Sequence, residues 1–356
     1  MNFTFDTITP VRELVMVIQD LYLPRELRGS AAASAELSGL EQVVRFGTRV
    51  PLAGGWRERM LRRAGRADLA GVAPACIAGA GLDAVCARRS AGPPEAQSGA
   101  RWIASALHLR AGLRGVDLDH RGLLRLPAAE QAQLSADFAH AFAPCVLVPL
   151  PSGEFLLDTP GIPALPMHEP ARGAGSELGE LTPSGPAAAP LRRLLAEIEM
   201  WLHTQPVNES RRERGAAPLS ALWPWGATGR IVCPASGAPA ALPLAWGRDA
   251  WLEGLWRLQG SVVRPAPQRI EELLGANAPA GVLLVELGEE LGDEHDTAAD
   301  ALRRIDARLV APALAALRGA ALERLSVTLN DTCVHLRRGS LRRFWRRKRG
   351  GLAGFA

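Results

Sequence analysis

The chain has 356 residues, of which 47% are hydrophobic, so it is long enough to bury a large core in one or two domains. No apolar run reaches the roughly 18 residues of a membrane-spanning helix, and the first ten residues lack the order of a secretion signal. We therefore expect a globular protein in the cytoplasm, with no transmembrane segment.

Cysteine content and charge narrow the class further. The five cysteines are odd in number and include no Cys-x-x-Cys pair, which argues against a disulfide framework and against a structural zinc site. The net charge is +4, but eight basic residues fall between Arg337 and Arg349. The rest of the chain is therefore mildly acidic, and its C-terminal end is strongly basic.

The N-terminal part predicts one buried strand followed by helices. Leu14 to Ile18 form a continuous apolar run that is typical of a strand buried on both faces, and Asp20 follows its end. Ligands bind at that end of strands in open α/β sheets, so an acidic residue there indicates a functional role. Short helices are expected over residues 40–46 and 56–63, and residues 71–99 are interpreted as loops with a short helix near 80–88.

The middle of the chain predicts a helix, a hairpin and a linker. Pro127 begins a helix with one apolar face, and residues 145–150 and 154–157 form strands joined through Pro151 to Gly153. Residues 161–190 are rich in proline and glycine and are the best candidate for a linker. Residues 191–203 follow as an amphipathic helix.

The C-terminal part alternates strands with a helix. Residues 282–286 form an apolar strand, and Thr297 with Asp300 makes a capping box that begins a helix. Pro312 should kink this helix and Gly319 should end it. Residues 325–329 and 333–336 are expected as two strands of a hairpin or one interrupted strand. The alternation predicts an α/β sheet protein.

Residues 203–229 carry a resemblance to a known family. Asn208, Arg211 and Gly215, followed by Trp223-Pro224-Trp225-Gly226, are similar to a segment of cofactor-independent phosphoglycerate mutases, and most similar to a divergent bacterial branch, regulatory protein RpfE. The tryptophans are expected in the core, with Pro224 and Gly226 making a rigid turn.

The resemblance implies an alkaline-phosphatase-like sheet flanked by helices, with a modest inserted or covering region. It assigns residues 1–100 and 191–340 to the phosphatase-like domain, 101–165 to the insert, 166–190 to a loop or linker, and 341–356 to a basic tail.

The same resemblance implies a metal site. In the family, two divalent metals and a serine nucleophile carry phosphate between hydroxyls. Asp20 matches a ligand that follows the first strand, and Asp331 matches the aspartate of a later Asp-His pair. The charged segment after residue 286 adds Glu290, Asp293 and His295, although a solvated surface loop explains that segment equally well. Manganese or zinc is the expected metal, and no nucleotide cofactor is expected.

Two departures from the family bear on activity. No serine motif is found between Gly47 and Arg101, where Ser90 and Ser98 are the only serines and are expected to be loop residues. Thr332 stands where the family has the histidine of the Asp-His pair. A two-metal phosphoryl transfer needs both ions, so these losses favour a non-catalytic regulator or phosphometabolite-binding protein. An active metal-dependent mutase or phosphatase is the alternative.

Candidate ligand contacts come from two places. His108, Arg110 and Arg114 lie in the predicted insert, and Asn208 and Arg211 lie in the segment that is similar to the mutases. Arginine suits phosphate because its planar fork donates two parallel hydrogen bonds, although arginines exposed on the surface of an arginine-rich protein are an equally simple explanation. The expected partner is a small phosphorylated metabolite or a regulatory protein.

The basic tail is a separate candidate. Arg342 to Arg349 interleave positive charge with Phe344 and Trp345, a pattern that could bind an anionic surface or a nucleic acid. A solvated, frayed chain end is the alternative.

Overall fold

The structure is a computed structural model. It describes residues 12–19, 37–86, 99–111, 116–118, 120–173, 181–228, 242–274, 280–291, 297–329 and 331–342. Of the predicted functional positions, Asp20, Arg114, Asp293 and His295 lie outside these residues, as does the basic tail from residue 343 onward.

Strands and helices are interspersed along the whole of the described chain. The strands are β1 (Glu13–Gln19), β2 (Thr48–Pro51), β3 (Gly99–Leu107), β4 (Arg110–Ala111), β5 (Val116–Asp117), β6 (Leu123–Leu124), β7 (Val146–Pro149), β8 (Phe155–Pro160), β9 (Ala221–Thr228), β10 (Leu244–Trp246), β11 (Val263–Arg264), β12 (Ala280–Glu286), β13 (Arg324–Leu329) and β14 (Thr332–Arg337). The helices are α1 (Ser38–Phe46), α2 (Gly55–Arg63), α3 (Pro74–Cys86), α4 (Ala128–Ala141), α5 (Ala189–His203), α6 (Pro206–Glu213), α7 (Ala250–Leu258), α8 (Ile270–Leu274), α9 (Ala298–Ile305) and α10 (Ala311–Arg318).

The chain divides into two compact units. Unit 1 takes the described residues up to Trp56, then 243–247 and those from Arg264 onward, and unit 2 takes those of 57–242 and 248–263. The second unit is much larger than the insert expected over residues 101–165, because it also includes helices α2, α3, α5, α6 and α7. No boundary falls within residues 166–190, where the linker was expected.

Unit 1 is built on a seven-stranded sheet with the order β11-β10-β12-β1-β13-β14-β2. Strands β10, β12, β1 and β13 are parallel, and β14 is antiparallel to its neighbours β13 and β2. Leu14, Met16 and Ile18 of β1 pack on one face with residues of α1, α9 and α10, while Val15 and Val17 are buried on the other. The predicted α/β sheet flanked by helices is therefore confirmed.

The helical region after β12 follows its sequence signals. The Thr297 hydroxyl accepts a hydrogen bond from the Asp300 N–H, and the Asp300 carboxylate accepts one from the Thr297 N–H, so the capping box is confirmed. The expected break near Pro312 is a π-helical turn over Asp306–Val310, after which α10 begins. Gly319 caps the end of α10.

Asp306 in that turn holds the start of α1. Its carboxylate accepts from the backbone N–H groups of Gly39 at 2.9 Å and Leu40 at 2.6 Å. These are N–H groups of the first turn of a helix, which lack partners within the helix. Burial raises the pKa of Asp306, and the two hydrogen bonds oppose that effect.

Unit 2 is built on an antiparallel sheet. Strand β3 pairs with β9 on one side and with β8 and β6 on the other, and β7 pairs with β8. The hairpin of β7 and β8 was predicted. One face of the sheet packs against α4 and α5, and the other against α3 and the start of α7.

Helix α3 was predicted only in part, since residues 71–99 were interpreted as loops with a short helix near 80–88, whereas the helix begins at Pro74. Its residues from Ala75 to Ala80 are buried all round, so the sequence shows no amphipathic period. A Cβ atom built on Gly81 would lie 2.4 Å from the Cα of Gly254, so α3 and α7 meet backbone to backbone. The glycines that suggested loops are what this close approach requires.

The expected turn at Pro224 and Gly226 is also wrong. Both residues lie within β9, where Trp223 and Trp225 are each 4% exposed, so the expected burial of the tryptophans is confirmed. The register of β9 against β3 shifts between Arg101 and Ile103, and Gly226 has φ of 65° at this irregularity. The glycine therefore allows a β-bulge.

Among the described residues, no helix has the length and apolar character needed to cross a membrane.

Candidate functional site at the carboxyl edge of the parallel strands

The register of the parallel strands brings three predicted segments to one edge of the unit 1 sheet. Gln19, the last residue of β1, pairs with Glu286, the last residue of β12, and Ile18 pairs with Leu329 at the end of β13. Chain segments that leave adjacent parallel strands at their carboxyl ends meet at one sheet edge, which is the usual ligand position in open α/β sheets. The strand ends that precede the predicted ligand segments, Gln19, Glu286 and Leu329, therefore lie side by side.

Asp331 and Glu290 are the predicted metal ligands that the structure describes. Asp331 is exposed, and its backbone carbonyl accepts a hydrogen bond from Leu52 N at 2.7 Å. Glu290 lies in a 3₁₀ turn after β12, where its carboxylate forms an ion pair with Arg308 and its carbonyl accepts from Arg304 Nη1 at 2.6 Å. Glu290 is thus already neutralised by an arginine.

Asp331 and Glu290, the two predicted ligands that the structure describes, do not by themselves make up a two-metal centre. Within the described ranges, no three side chains of histidine, cysteine, aspartate or glutamate come together as a metal site. A pair of divalent ions needs several oxygen or imidazole ligands, and Glu290 is held by Arg308. We therefore derive no metal-dependent step from this edge.

Three of the residues predicted to meet phosphate, His108, Asn208 and Arg211, contact one backbone segment of unit 2, residues 217–219. His108 Nδ1 donates a hydrogen bond to the carbonyl of Pro218 at 2.8 Å, so this ring is half-buried and engaged with backbone. Arg110 is exposed in the short strand β4. Their contact with a ligand stays a prediction.

Asn208 and Arg211 on α6 hold the backbone that leads into β9. The buried Asn208 amide donates to the carbonyls of Leu202 and Leu219 and accepts from Leu219 N, at 2.7 to 2.8 Å. Arg211 donates to the carbonyl of Ala217 and to the Glu130 carboxylate, at 2.7 and 2.6 Å. Both residues thus stabilise this backbone, and their contact with a ligand stays a prediction.

Unit 2 contains a buried polar network that the sequence did not reveal. Arg57 makes a bidentate contact with the Glu169 carboxylate at 2.8 and 2.5 Å, and it lies 3.3 Å from Asp249. Its guanidinium group lies over the rings of Trp225 and Trp251, at 5.2 and 5.8 Å from their centroids. Planar stacking and bidentate pairing are both specific to arginine.

Trp225 also takes part in a second set of polar contacts, centred on Glu154. Trp225 Nε1 donates to the Ser105 hydroxyl at 2.9 Å, and that hydroxyl donates to Glu154 at 2.7 Å. Arg125 pairs with the same carboxylate at 2.9 Å. The Ser152 hydroxyl donates to the other carboxylate oxygen at 3.3 Å, so Glu154 is satisfied by two hydroxyls and one cation although it is 2% exposed.

The carboxylates of the network titrate differently. Burial works to raise the pKa of Glu169, but the charge and hydrogen bonds of Arg57 outweigh it and hold that pKa below its ordinary value. Burial raises the pKa of Asp249 despite the charge of Arg57, and the neighbouring charges of Glu169 and Glu154 add to the rise. The members of this network come from distant parts of the chain, so no local sequence pattern predicts their contacts. The expected burial of the tryptophans was the only signal in the sequence.

Comparison with known proteins gives a distant likeness. No family model matches the sequence, and no curated protein matches it. The structure is similar to a cofactor-independent phosphoglycerate mutase from Thermoplasma acidophilum DSM 1728, with a TM-score of 0.37 and 15% identity over 92% of this chain and 90% of that chain. It is also similar to the PH0037 protein from Pyrococcus horikoshii, with a TM-score of 0.41 and 13% identity over 92% of this chain and 88% of that chain. At these values, neither activity nor ligands carry over to this chain.

Proposed function

We propose that this chain is a phosphoglycerate-mutase-like protein that binds a small phosphorylated acid at the carboxyl edge of its parallel strands without turning it over. The observation that carries the proposal is the strand register, in which Gln19 pairs with Glu286 and Ile18 pairs with Leu329. It places the strand ends that precede Asp20, Glu290 and Asp331 in the sequence at the edge where α/β proteins bind ligands.

The absence of turnover is supported by the donor set. Thr332 cannot replace the imidazole that the family resemblance would place there, and Glu290 is paired with Arg308. The region between Gly47 and Arg101 offers Ser90 and Ser98 only, without the motif that activates a serine nucleophile. Binding can outlast catalysis because it needs fewer correctly placed groups.

The test combines calorimetry with assays on the purified full-length chain. The metal-free protein is titrated with Mn²⁺ and with Zn²⁺, then with 3-phosphoglycerate, and assayed for interconversion of 3- and 2-phosphoglycerate and for phosphatase activity with each ion. With Mn²⁺ or Zn²⁺ present, we expect saturable binding of 3-phosphoglycerate and no turnover, because a carboxylate such as Asp331 attracts a phosphate only through a bound cation. Asp331→Asn should weaken this binding, and Glu197→Gln on the surface of α5 should leave it unchanged. Turnover that Asp20→Ala abolishes would establish an enzyme instead. A chain that binds no phosphoglycerate under any of these conditions would refute the binding role.

A further inference from the structure

Glu253 of helix α7 is a buried acid without a close partner of opposite charge. Its side chain is 10% exposed, and the nearest recorded cation is Arg257 Nη2, 3.9 Å from Oε2. No group among the described residues donates a hydrogen bond to Oε2, which is shielded from solvent. The carboxyl group is therefore outside hydrogen-bond distance of the cation that would stabilise its charge.

The groups around Glu253 do not compensate for its charge. Asp249 lies one turn earlier on α7, and Glu154 approaches from the hairpin before β8, so both neighbours are acidic. Arg125 is paired with Glu154 at 2.9 Å. Arg57 is engaged with Glu169 and Asp249.

The helix packed against α7 brings no cation to Glu253 either. Asp83 is the charged residue among the described side chains of α3, and it forms an ion pair with Arg101 at 3.7 Å. Glu253 is thus the least satisfied of the network's four carboxylates. Burial, with the charges of Asp249 and Glu154, raises the pKa of Glu253 to about 7 in spite of Arg257 and Arg125.

We propose that Glu253 is a proton-operated switch in unit 2: its neutral carboxyl group stays buried, and its ionised form turns toward Arg257 and water and loosens the packing of α7. The position of Glu253 suits this role because Gly254 follows it directly in the chain. Gly254 is the residue whose backbone meets Gly81 of α3, so that a Cβ on either glycine would clash. A contact this close does not absorb a shift of α7.

The direction of the pH effect follows from the raised pKa. A proton bound more tightly in the folded state stabilises it, and this contribution is complete below the ordinary pKa of 4.5 and lost as the pH rises to about 7. Over that interval the unfolding equilibrium constant should increase roughly 300-fold through this group alone. Above pH 7 the contribution should stay constant.

Urea unfolding of the full-length chain at a series of pH values between 5 and 8.5 tests the switch. Three proteins are compared: the wild type, Glu253→Gln and the control Glu197→Gln. Glu197 also pairs with an arginine one helical turn away, but it is 44% exposed and lies 2.9 Å from Arg193. We expect the ratio of the wild-type to the Glu253→Gln unfolding constant to rise about tenfold per pH unit up to pH 7 and then level off. Glu197→Gln should follow the wild type at every pH.

A pH-independent ratio for Glu253→Gln would overturn the proposal. Arg257→Gln provides a second test if Glu253→Gln does not fold, because it removes the nearest cation and leaves the acid in place. The pH at which stability stops falling should then move upward, and an unchanged value would also overturn the proposal.

Discussion

The acidic residues discussed in the two units differ in exposure and in their partners. At the sheet edge of unit 1, Asp331 is exposed and Glu290 has an arginine partner that is itself partly exposed. In unit 2, Glu169 and Asp249 are buried around one guanidinium group, with side chains 9% and 3% exposed. A buried carboxylate must be paired to be tolerated, whereas an exposed one costs little and can meet a ligand. Asp331 is therefore available for a ligand, and Glu169 and Asp249 are committed to the fold.

Replacing Arg57 with methionine should have the largest effect. Methionine keeps part of the packing against Trp225 and Trp251 but leaves Glu169 and Asp249 buried without their cation. Removing one partner of a buried ion pair costs about 3–5 kcal/mol. Urea unfolding at pH 7, followed by tryptophan fluorescence, measures the loss.

The matched control is Arg62→Met on the same helix. Arg62 pairs with Glu58 one turn away, but its side chain is 66% exposed, so we expect a change below about 0.5 kcal/mol. Equal losses for the two variants would show that the buried network contributes no more than a surface pair, and the contrast between the units would fail.

The two units also differ in how far the sequence predicts them. The unit 1 strands follow apolar runs such as Leu14 to Ile18, because a strand buried on both faces leaves a continuous signal. Their carboxyl ends are then adjacent by topology, so the edge with Asp331 could be predicted. The partners of a buried charge carry no such local signal. Arg57, Glu169 and Asp249 are more than 70 residues apart in sequence, and only the folded chain brings them together.

Helix α3 shows a second limit of prediction. Its apolar residues surround the whole helix, so the sequence shows no amphipathic period. In the absence of that period, Gly79 and Gly81 favour a loop. The close approach of Gly81 to Gly254 explains the glycines, but that contact depends on α7, which follows about 170 residues later. The ion pair of Arg308 with the predicted metal ligand Glu290 likewise has no signal in the sequence.

Asn208→Ala should have an intermediate effect on the free energy of unfolding. The variant also tests whether Asn208 has a structural or a ligand-binding role. The substitution leaves the carbonyls of Leu202 and Leu219 and the N–H of Leu219 without their partner in a buried site. We expect a loss of about 1–3 kcal/mol in urea unfolding. The exposed Arg212→Ala on the same helix should change stability little. A stable Asn208→Ala protein with weakened 3-phosphoglycerate binding would show instead that Asn208 contributes to ligand binding.

Asp331→Asn should have the smallest effect on stability and decides whether the sheet edge is available for function. Its side chain is exposed, and the hydrogen bond that fixes this turn comes from the backbone carbonyl, which the substitution keeps. We expect the free energy of unfolding to change by less than about 0.5 kcal/mol. Calorimetric titration of the same variant with 3-phosphoglycerate in the presence of Mn²⁺ should nevertheless show weaker binding than the wild type, because a carboxylate attracts phosphate through a shared cation. A stability loss comparable to that of Asn208→Ala would place Asp331 with the residues committed to the fold, because an available side chain can be changed without disturbing the structure that presents it.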